Sequence, residues 1–137
     1  MLHPLIARTR SYFPTFLLGF AAAFCGAIAL ADAPGAALPG DPEHGKTLYQ
    51  ACAACHTVDE NDIGPLHRGL VGRHAGSVPD YNYSPALKNS GITWDEAQLD
   101  RWLTNPSAMV PGTKMSFKLA DAQMRADVIA YLKTLTK

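Results

Sequence analysis

What the sequence lacks already excludes several classes of protein. It has only three cysteines among 137 residues, so a framework of several disulfides is excluded. Twelve Lys and Arg balance twelve Asp and Glu, and this zero formal charge gives no broad basic face for nucleic acid. No stretch alternates apolar and polar residues over the length of a strand, and no segment repeats. The class that remains is one all-α domain.

The amino-terminal 31 residues have the layout of a secretory signal peptide. Arg8 and Arg10 precede an apolar run over residues 13–30, and Ala29-Leu30-Ala31 is an Ala-x-Ala cleavage site. We therefore expect residues 1–31 to be removed and the mature chain to begin at Asp32 in the periplasm. Ten basic and twelve acidic side chains would then give it a net charge of −2. The alternative is an uncleaved membrane anchor, since the run approaches the length of a bilayer span.

Two of the cysteines lie in the segment Cys52-Ala53-Ala54-Cys55-His56. Cys-x-x-Cys-His is the attachment signature of a c-type haem. On a helical turn, residues i and i+3 share a face, so both sulfurs can reach the two vinyl groups on one edge of a porphyrin. The histidine that follows can then bring a ring nitrogen under the iron. A zinc half-site and a redox-active dithiol are the alternatives.

The third cysteine bears on those alternatives. Cys25 lies within the apolar run of the signal segment, so the mature chain has no second cysteine pair to complete a zinc site. A disulfide between Cys52 and Cys55 would close a very short loop and contribute little stability. Haem thioethers are therefore the better use of these two thiols.

Capping signals predict three to four helices after a short linker over residues 32–40. Four residues are predicted to cap helices at their amino-terminal ends: Asp41, Ser84, Thr93 and Asp121. The third helix is predicted to end before Pro106. Gly45 lies inside the first helix, where it would allow another helix to cross closely or mark a flexible turn. Glycines over residues 64–76 predict backbone wrapped tightly around something large and flat.

A haem iron with two axial ligands needs a second one besides the motif histidine. A thioether raises the reduction potential, so methionine suits an electron carrier. Met124 fits the apolar stripe of the last helix and is expected in the core. Met109 and Met115 both lie in loops, and the rigid turn before Met115 favours it without excluding Met109. His67 and His74, in the glycine-rich loop, are alternative ligands.

Ten short segments over residues 40–136 occur in the order found in a known family. They are Gly40-Asp41, Gly45-Lys46, Cys52–Val58, Gly64-Pro65, Gly69–Arg73, Tyr81–Ser84, Gly91–Trp94, Trp102–Pro106, Pro111–Met115 and Ile129–Leu132. In these segments the chain resembles the class I cytochromes c, close to the mitochondrial kind and its bacterial relatives. The resemblance implies the small cytochrome c fold, all-α, with three to four helices and loops around one covalent haem c. It places the cytochrome c domain at residues 41–137.

The resemblance also implies roles for individual residues at the iron. Cys52 and Cys55 would form the thioether bonds, and His56 and Met115 would be the axial iron ligands. Pro65 matches a proline whose carbonyl accepts a hydrogen bond from the axial histidine and fixes its tautomer.

Further positions match the haem pocket of the family. Arg73, Tyr83 and Trp94 match residues that bury the haem propionates, and Thr113 matches a threonine near the propionates and the methionine. Trp102 stands where mitochondrial members usually have tyrosine. A hydroxyl donor to the methionine sulfur is therefore absent at this position, and an indole N–H is the group that could replace it.

The function that follows is single-electron transport by an exported monohaem c-type cytochrome, not an enzyme. Its expected partners are redox proteins such as a membrane oxidase, a reductase or a dehydrogenase. We expect a monomer that binds no nucleic acid and has no stable membrane insertion once the signal is cleaved. Four lysines could surround the exposed haem edge, or simply belong to an ordinary solvated surface: Lys46, Lys88, Lys114 and Lys118. Two alternatives remain, a haem enzyme or sensor with an open sixth site, and a dedicated subunit of one oxidoreductase.

Overall fold

The computed structural model describes residues 38–136, and five α-helices and one 3-10 turn lie in this range. Helix α1 spans Pro42–Leu48 and continues into the 3-10 turn Tyr49–Ala51. The other helices are α2 (Pro85–Lys88), α3 (Glu96–Thr104), α4 (Pro106–Met109) and α5 (Ala122–Thr134). Within the described residues there is no strand, only an isolated antiparallel bridge between His74 and Thr93. The all-α prediction is therefore confirmed.

Three of the four predicted helix caps are confirmed. The side chains of Asp41, Ser84 and Asp121 each accept a hydrogen bond from a backbone N–H in the first turn of α1, α2 and α5. The fourth is wrong, because Asp95 caps α3 by accepting from the Gln98 amide at 2.7 Å. Thr93 instead bonds His74 through its hydroxyl at 2.9 Å, which holds this segment extended against the glycine-rich loop.

Helix α4 is the element that the sequence reading did not predict. The third helix ends before Pro106 as predicted, but the chain immediately begins another turn of helix. Asn105 is extended, with φ of −164°, and its side chain accepts from the Ala108 amide at 3.3 Å. An amide cap followed by proline is a strong helix start, and here it raises the helix number from the predicted three or four to five.

Helices α1 and α5 cross with their backbones nearly touching. A Cβ atom on Gly45 would lie 2.5 Å from the Asp127 carbonyl carbon, and one on Gly40 would lie 2.9 Å from the Ala130 Cβ. Gly45 is buried within α1. The close-crossing interpretation of this glycine is thus confirmed, and the flexible-turn interpretation is wrong.

The buried hydrophobic core surrounds a cavity. Nine of its thirteen residues line that cavity: Leu70, Tyr83, Leu87, Trp94, Leu99, Trp102, Leu103, Val128 and Leu132. Met124 was expected in this core, but it lies in the first turn of α5 at the edge of the domain and is only partly buried. The predicted signal peptide, residues 1–31, and linker residues 32–37 lie outside the described residues. Among those described, no helix is long and apolar enough to cross a membrane.

Candidate haem site

The glycine-rich loop, α3, α5 and the turn before Met115 enclose an apolar cavity of about 450 Å³. This volume lies within the range of roughly 300–1,000 Å³ that is usual for ligand pockets. Every residue that the sequence reading assigned to the site lines it: Cys52, Cys55, His56, Pro65, Arg73, Tyr83, Trp94, Trp102, Thr113 and Met115. The structure therefore brings together residues from three parts of the chain, 52–65, 73–94 and 102–115.

The cysteine pair lies on a single helical turn. The amides of Cys55 and His56 donate to the Cys52 carbonyl at 3.0 and 2.9 Å, so the two thiols and the imidazole share one side of the turn. Both cysteines line the cavity, and they are not joined to each other in a disulfide. This geometry matches what two thioether bonds to one porphyrin edge require.

The surroundings of the thiols favour neither a redox-active dithiol nor a zinc site. Burial, and then Cys55, raise the pKa of the Cys52 thiol, whereas a redox-active dithiol needs a lowered pKa. A zinc site needs three or four clustered ligands, and no such group of His, Cys, Asp or Glu occurs within residues 38–136.

The His56 ring is oriented by the chain segment that follows it. Its Nδ1 donates to the Pro65 carbonyl at 2.7 Å, which leaves Nε2 with the free lone pair. Burial lowers the pKa of His56, partly opposed by this hydrogen bond, so the ring is neutral and able to bind metal. A Cβ atom on Gly64 would lie 2.5 Å from Nδ1, so only glycine allows the backbone to pass this close to the ring.

Met115 receives a hydrogen bond from α3. The indole Nε1–H of Trp102 donates to the Met115 sulfur at 3.1 Å, so the indole has the reach that the sequence left open. The turn before Met115 is closed by the Thr113 amide, which donates to the Val110 carbonyl at 3.1 Å. Met109 lies at the end of α4 and does not line the cavity.

One cationic side chain, Arg73, also lines the cavity. The Arg73 guanidinium donates to the carbonyls of Leu66 at 2.7 Å and Arg68 at 3.0 Å. Burial lowers the pKa of Arg73, yet within the described part of the chain it forms no ion pair with a carboxylate. A guanidinium has five N–H donors, so donors remain for an acidic ligand group. Tyr83 and Trp94 are buried beside the same cavity.

His67, which the sequence left open as an alternative iron ligand, lines the cavity beside His56. Its ring stacks on that of His56, with centroids 4.1 Å apart and planes 19° apart. Its Nδ1 lies 2.9 Å from the Tyr49 hydroxyl. Burial, followed by the nearby His56 and Arg73, lowers the pKa of His67 to about 3, so the ring is neutral at physiological pH. The sequence departs from the family here, because Leu66-His67-Arg68 stands where Asn-Leu-His is more usual.

Burial raises the pKa of Tyr49 to about 12, so its hydroxyl keeps its proton. That hydroxyl has no other hydrogen-bond partner among residues 38–136, and we therefore assign it as the donor to His67 Nδ1. His74, by contrast, is exposed, bonds Thr93 and does not line the cavity.

The mouth of the cavity is apolar at two points. Ile63 is 69% exposed and Phe117 is 41% exposed, and both line the opening. Of the four candidate docking lysines only Lys114 lines the cavity, and its Nζ donates to the Asn82 carbonyl at 2.5 Å. All four are exposed, and their docking role remains a prediction.

These residues fit a haem. Two cysteines one helical turn apart, an imidazole with a free nitrogen, a thioether and a guanidinium that forms no ion pair within residues 38–136 surround one apolar cavity. The cytochrome c family profile matches residues 42–136, and the chain belongs to that family. It is a monohaem c-type cytochrome that carries electrons and holds one covalently bound haem c.

Individual relatives are similar along most of this domain. Cytochrome c2 of Rhodomicrobium vannielii is 52% identical over 99 residues, which cover 69% of this chain and 79% of the relative. Cytochrome c2 of Rhodopila globiformis is 49% identical over 105 residues, covering 74% of this chain and 99% of the relative. The solved structure of cytochrome cH from Methylobacterium extorquens is 45% identical with a TM-score of 0.68, covering 69% of this chain and 99% of that one.

Proposed function

We propose that the iron is held by His56 and Met115 and that the protein is an exported single-electron carrier. The observation that carries this proposal is the pair of constraints on the two ligand atoms. Pro65 occupies Nδ1 of His56 and leaves Nε2 free, and Trp102 holds the Met115 sulfur within the same cavity. Met109 has no comparable support, because it lies outside the cavity.

The haem supplies the one-electron redox couple, and the chain's residues set the conditions around it. The soft thioether of Met115 favours the ferrous state, and the Trp102 N–H withdraws electron density from the sulfur in the same direction. Cys52 and Cys55 prevent loss of the haem. If His56 and Met115 both bind the iron, oxygen or peroxide would find no open position there, so we propose a carrier and not an enzyme.

We propose that Arg73, Tyr83 and Trp94 bury the haem propionates, with Thr113 nearby. The support is the charge balance of the cavity. Arg73 brings a partly buried positive charge with spare donors, and a propionate would supply the negative charge that the described residues do not.

The proposed compartment is the periplasm, reached through a signal peptide over residues 1–31. A linker over residues 32–40 and a cytochrome c domain over residues 41–137 would follow. Mass spectrometry of protein purified from the periplasm tests export and haem number together. The expected mass is that of a chain starting at Asp32 plus one haem. A mass that includes residues 1–31 would support a membrane anchor instead.

The proposed partners are redox proteins such as a membrane oxidase, a reductase or a dehydrogenase, met by a monomer that binds no nucleic acid. If the exposed lysines guide docking, the rate of reduction by a candidate partner should fall as ionic strength rises. A rate that is insensitive to salt would contradict lysine-guided docking. It would favour a dedicated partner that binds through apolar contacts near Ile63 and Phe117, both exposed at the mouth.

The decisive experiment compares Met115→Ala with Met109→Ala. Sulfur ligation gives ferric haem a weak absorption band near the red end of the spectrum. We expect the band in the wild type and in Met109→Ala, and its loss in Met115→Ala. A band that survives in Met115→Ala would overturn the ligand assignment. A wild-type protein that lacks the band and has peroxidase activity would favour the alternative of a haem enzyme with an open sixth site.

A further inference from the structure

A second imidazole lies against the proposed iron ligand. The rings of His56 and His67 are stacked, 4.1 Å between centroids and 19° between planes, and His67 also lines the haem cavity. Tyr49 holds the far edge of this pair, with its hydroxyl 2.9 Å from His67 Nδ1 and its ring 5.7 Å from that of His67. His67 is therefore fixed on one side by a hydrogen bond and on the other by the ligand ring.

This geometry excludes His67 as an iron ligand while His56 binds the iron. The lone pair of an imidazole nitrogen points outward in the plane of its ring. The two rings are nearly parallel with centroids 4.1 Å apart, so an iron in the plane of the His56 ring lies well outside the plane of the His67 ring, whereas a metal–imidazole bond is roughly 2 Å long and lies in the ring plane. The lone pair of His67 Nδ1 also already accepts from the Tyr49 hydroxyl. An iron bound by His56 thus lies outside the reach of His67. Any effect of His67 on the iron must therefore act through the His56 ring.

The rotation of the His56 ring is only partly determined by Pro65. One hydrogen bond from Nδ1 fixes the direction of that edge, but the ring plane can still tilt by small rotations about the Cβ–Cγ bond within the range that this hydrogen bond allows. A flat neighbour at van der Waals distance limits that rotation, because turning the ring would bring its edge into the face of the neighbour. Tyr49 is 4% exposed and packs against Tyr131, so the support behind His67 is itself rigid.

We propose that His67, anchored by Tyr49, is a positioning residue that sets the plane of the His56 ring and lowers the reduction potential of the haem. The inference rests on the proposed ligation of iron by His56. The ferric site carries one more positive charge than the ferrous site. A polar ring next to the axial ligand stabilises that charge better than an aliphatic side chain of similar size, which favours the oxidised form.

Two substitutions separate the flat shape of His67 from its polarity. His67→Leu removes both, and His67→Phe keeps a stacked ring without polar atoms. Two measurements are made on the purified haem protein: the reduction potential, and the haem-methyl resonances of the ferric protein by NMR. The spread of those resonances reports the orientation of the axial histidine plane. Tyr49→Phe keeps the ring of His67 but removes its hydrogen bond, and His74→Leu is the matched control at an exposed histidine that also bonds a hydroxyl.

We expect His67→Leu to change the haem-methyl pattern and to favour reduction about three- to tenfold, where tenfold corresponds to 59 mV for a one-electron couple. His67→Phe should retain the wild-type pattern while raising the potential by a similar amount. Tyr49→Phe should broaden or shift the pattern with a smaller change in potential, and His74→Leu should change neither.

The proposal is overturned if His67→Leu, with haem bound and the ferric sulfur band intact, leaves both pattern and potential unchanged. It is also overturned if His67→Phe alters the pattern as much as His67→Leu does. If His67→Leu does not fold, His67→Phe and Tyr49→Phe still decide the result. A wild-type protein that lacks the sulfur band would instead contradict the proposed axial ligation.

Discussion

The haem cavity and the crossing of α1 with α5 are held together in different ways. At the crossing, the contacting atoms all belong to the chain: Gly45 lets the helices meet, and Asp127 accepts from the Asp41 amide at 2.8 Å. At the cavity, nine of the thirteen core residues face a space that the chain does not fill. The crossing is fully packed by atoms of the chain, whereas the residues around the cavity need a bound group to complete their packing.

This difference explains why a domain of this size can have so open a centre. About 100 residues bury little apolar surface on their own, so a large flat apolar group must complete the core. The crossing then keeps the two ends of the domain together around that group. We therefore expect changes at the cavity to act through the haem, and changes at the crossing to act through chain packing.

Removal of the haem should have the largest effect of any change. At roughly 24 cal/mol per Å³ of cavity, a space of about 450 Å³ corresponds to a cost of the order of 10 kcal/mol, comparable to the whole stability of a small domain. We expect Cys52→Ala/Cys55→Ala protein expressed without haem to be largely unfolded by circular dichroism. A cooperative thermal transition in this apoprotein would contradict this expectation. It would show that the crossing of α1 with α5 is enough to fold the domain without haem.

Gly45→Ala tests the crossing itself. Alanine normally stabilises a helix interior relative to glycine by about 1 kcal/mol. Here its Cβ would lie 2.5 Å from the Asp127 carbonyl carbon, so the helices must separate, and we expect a loss of about 3 kcal/mol or more in urea unfolding of the holoprotein.

Gly72→Ala is the control for this substitution. Gly72 has φ of +85° and open space around its missing Cβ, so only backbone strain of about 1–2 kcal/mol is expected. Equal losses in the two variants would contradict a close crossing. In both variants the ferric spectrum should stay as in the wild type, because neither glycine lines the cavity.

The sequence was sufficient for features encoded by neighbouring residues. The caps Asp41, Ser84 and Asp121 and the turn carrying both thiols were predicted correctly, because a cap or a helical turn depends on residues within four positions. The cavity-lining set required the family resemblance, since the segments that carry Arg73 and Met115 are far apart in the chain.

What the sequence could not show were pairings between distant segments. Thr93 does not cap α3, because its hydroxyl bonds His74 in the glycine-rich loop. Met124 is only partly buried, in the first turn of α5. His44 is exposed, yet its Nδ1 lies 2.7 Å from the Asp127 carboxylate and so links α1 to α5. The stacking of His67 on His56 depends on how the loop folds back, which no local pattern indicates.

Trp102→Phe should have a smaller effect that is confined to the cavity. It removes the 3.1 Å hydrogen bond to the Met115 sulfur, worth about 1 kcal/mol, but keeps an aromatic ring in place. We expect a lower reduction potential and tighter binding of added imidazole, which competes with Met115 for the iron.

Trp94→Phe is the matched control, since its ring lies 5.2 Å from that of Trp102 but gives no hydrogen bond to the sulfur. It should leave the affinity for imidazole unchanged. If both tryptophan variants bind imidazole equally well, the indole does not hold the methionine, and cavity packing alone accounts for the ligation.

Asp127→Asn should have the smallest effect at neutral pH and should alter only the crossing. Hydrogen bonds from the Asp41 amide, then from Gln123 and His44, hold the pKa of Asp127 below its ordinary value of 3.8. The folded state therefore binds this proton less readily than the unfolded chain does. The resulting stability is fully present above about pH 4 and is lost as the pH falls through the lowered pKa.

An amide at position 127 can still accept from Asp41 and donate to His44, so the melting temperature at pH 7 should change little. Below pH 4, melting temperature should fall less steeply with pH than in the wild type. Asp62→Asn, at an exposed carboxylate, should retain the wild-type slope. The potential of the haem should be the same in all three proteins, because Asp127 does not line the cavity. An unchanged acid slope in Asp127→Asn would mean that the crossing contributes no ionisation-linked stability, and that its glycine contacts alone hold α1 against α5.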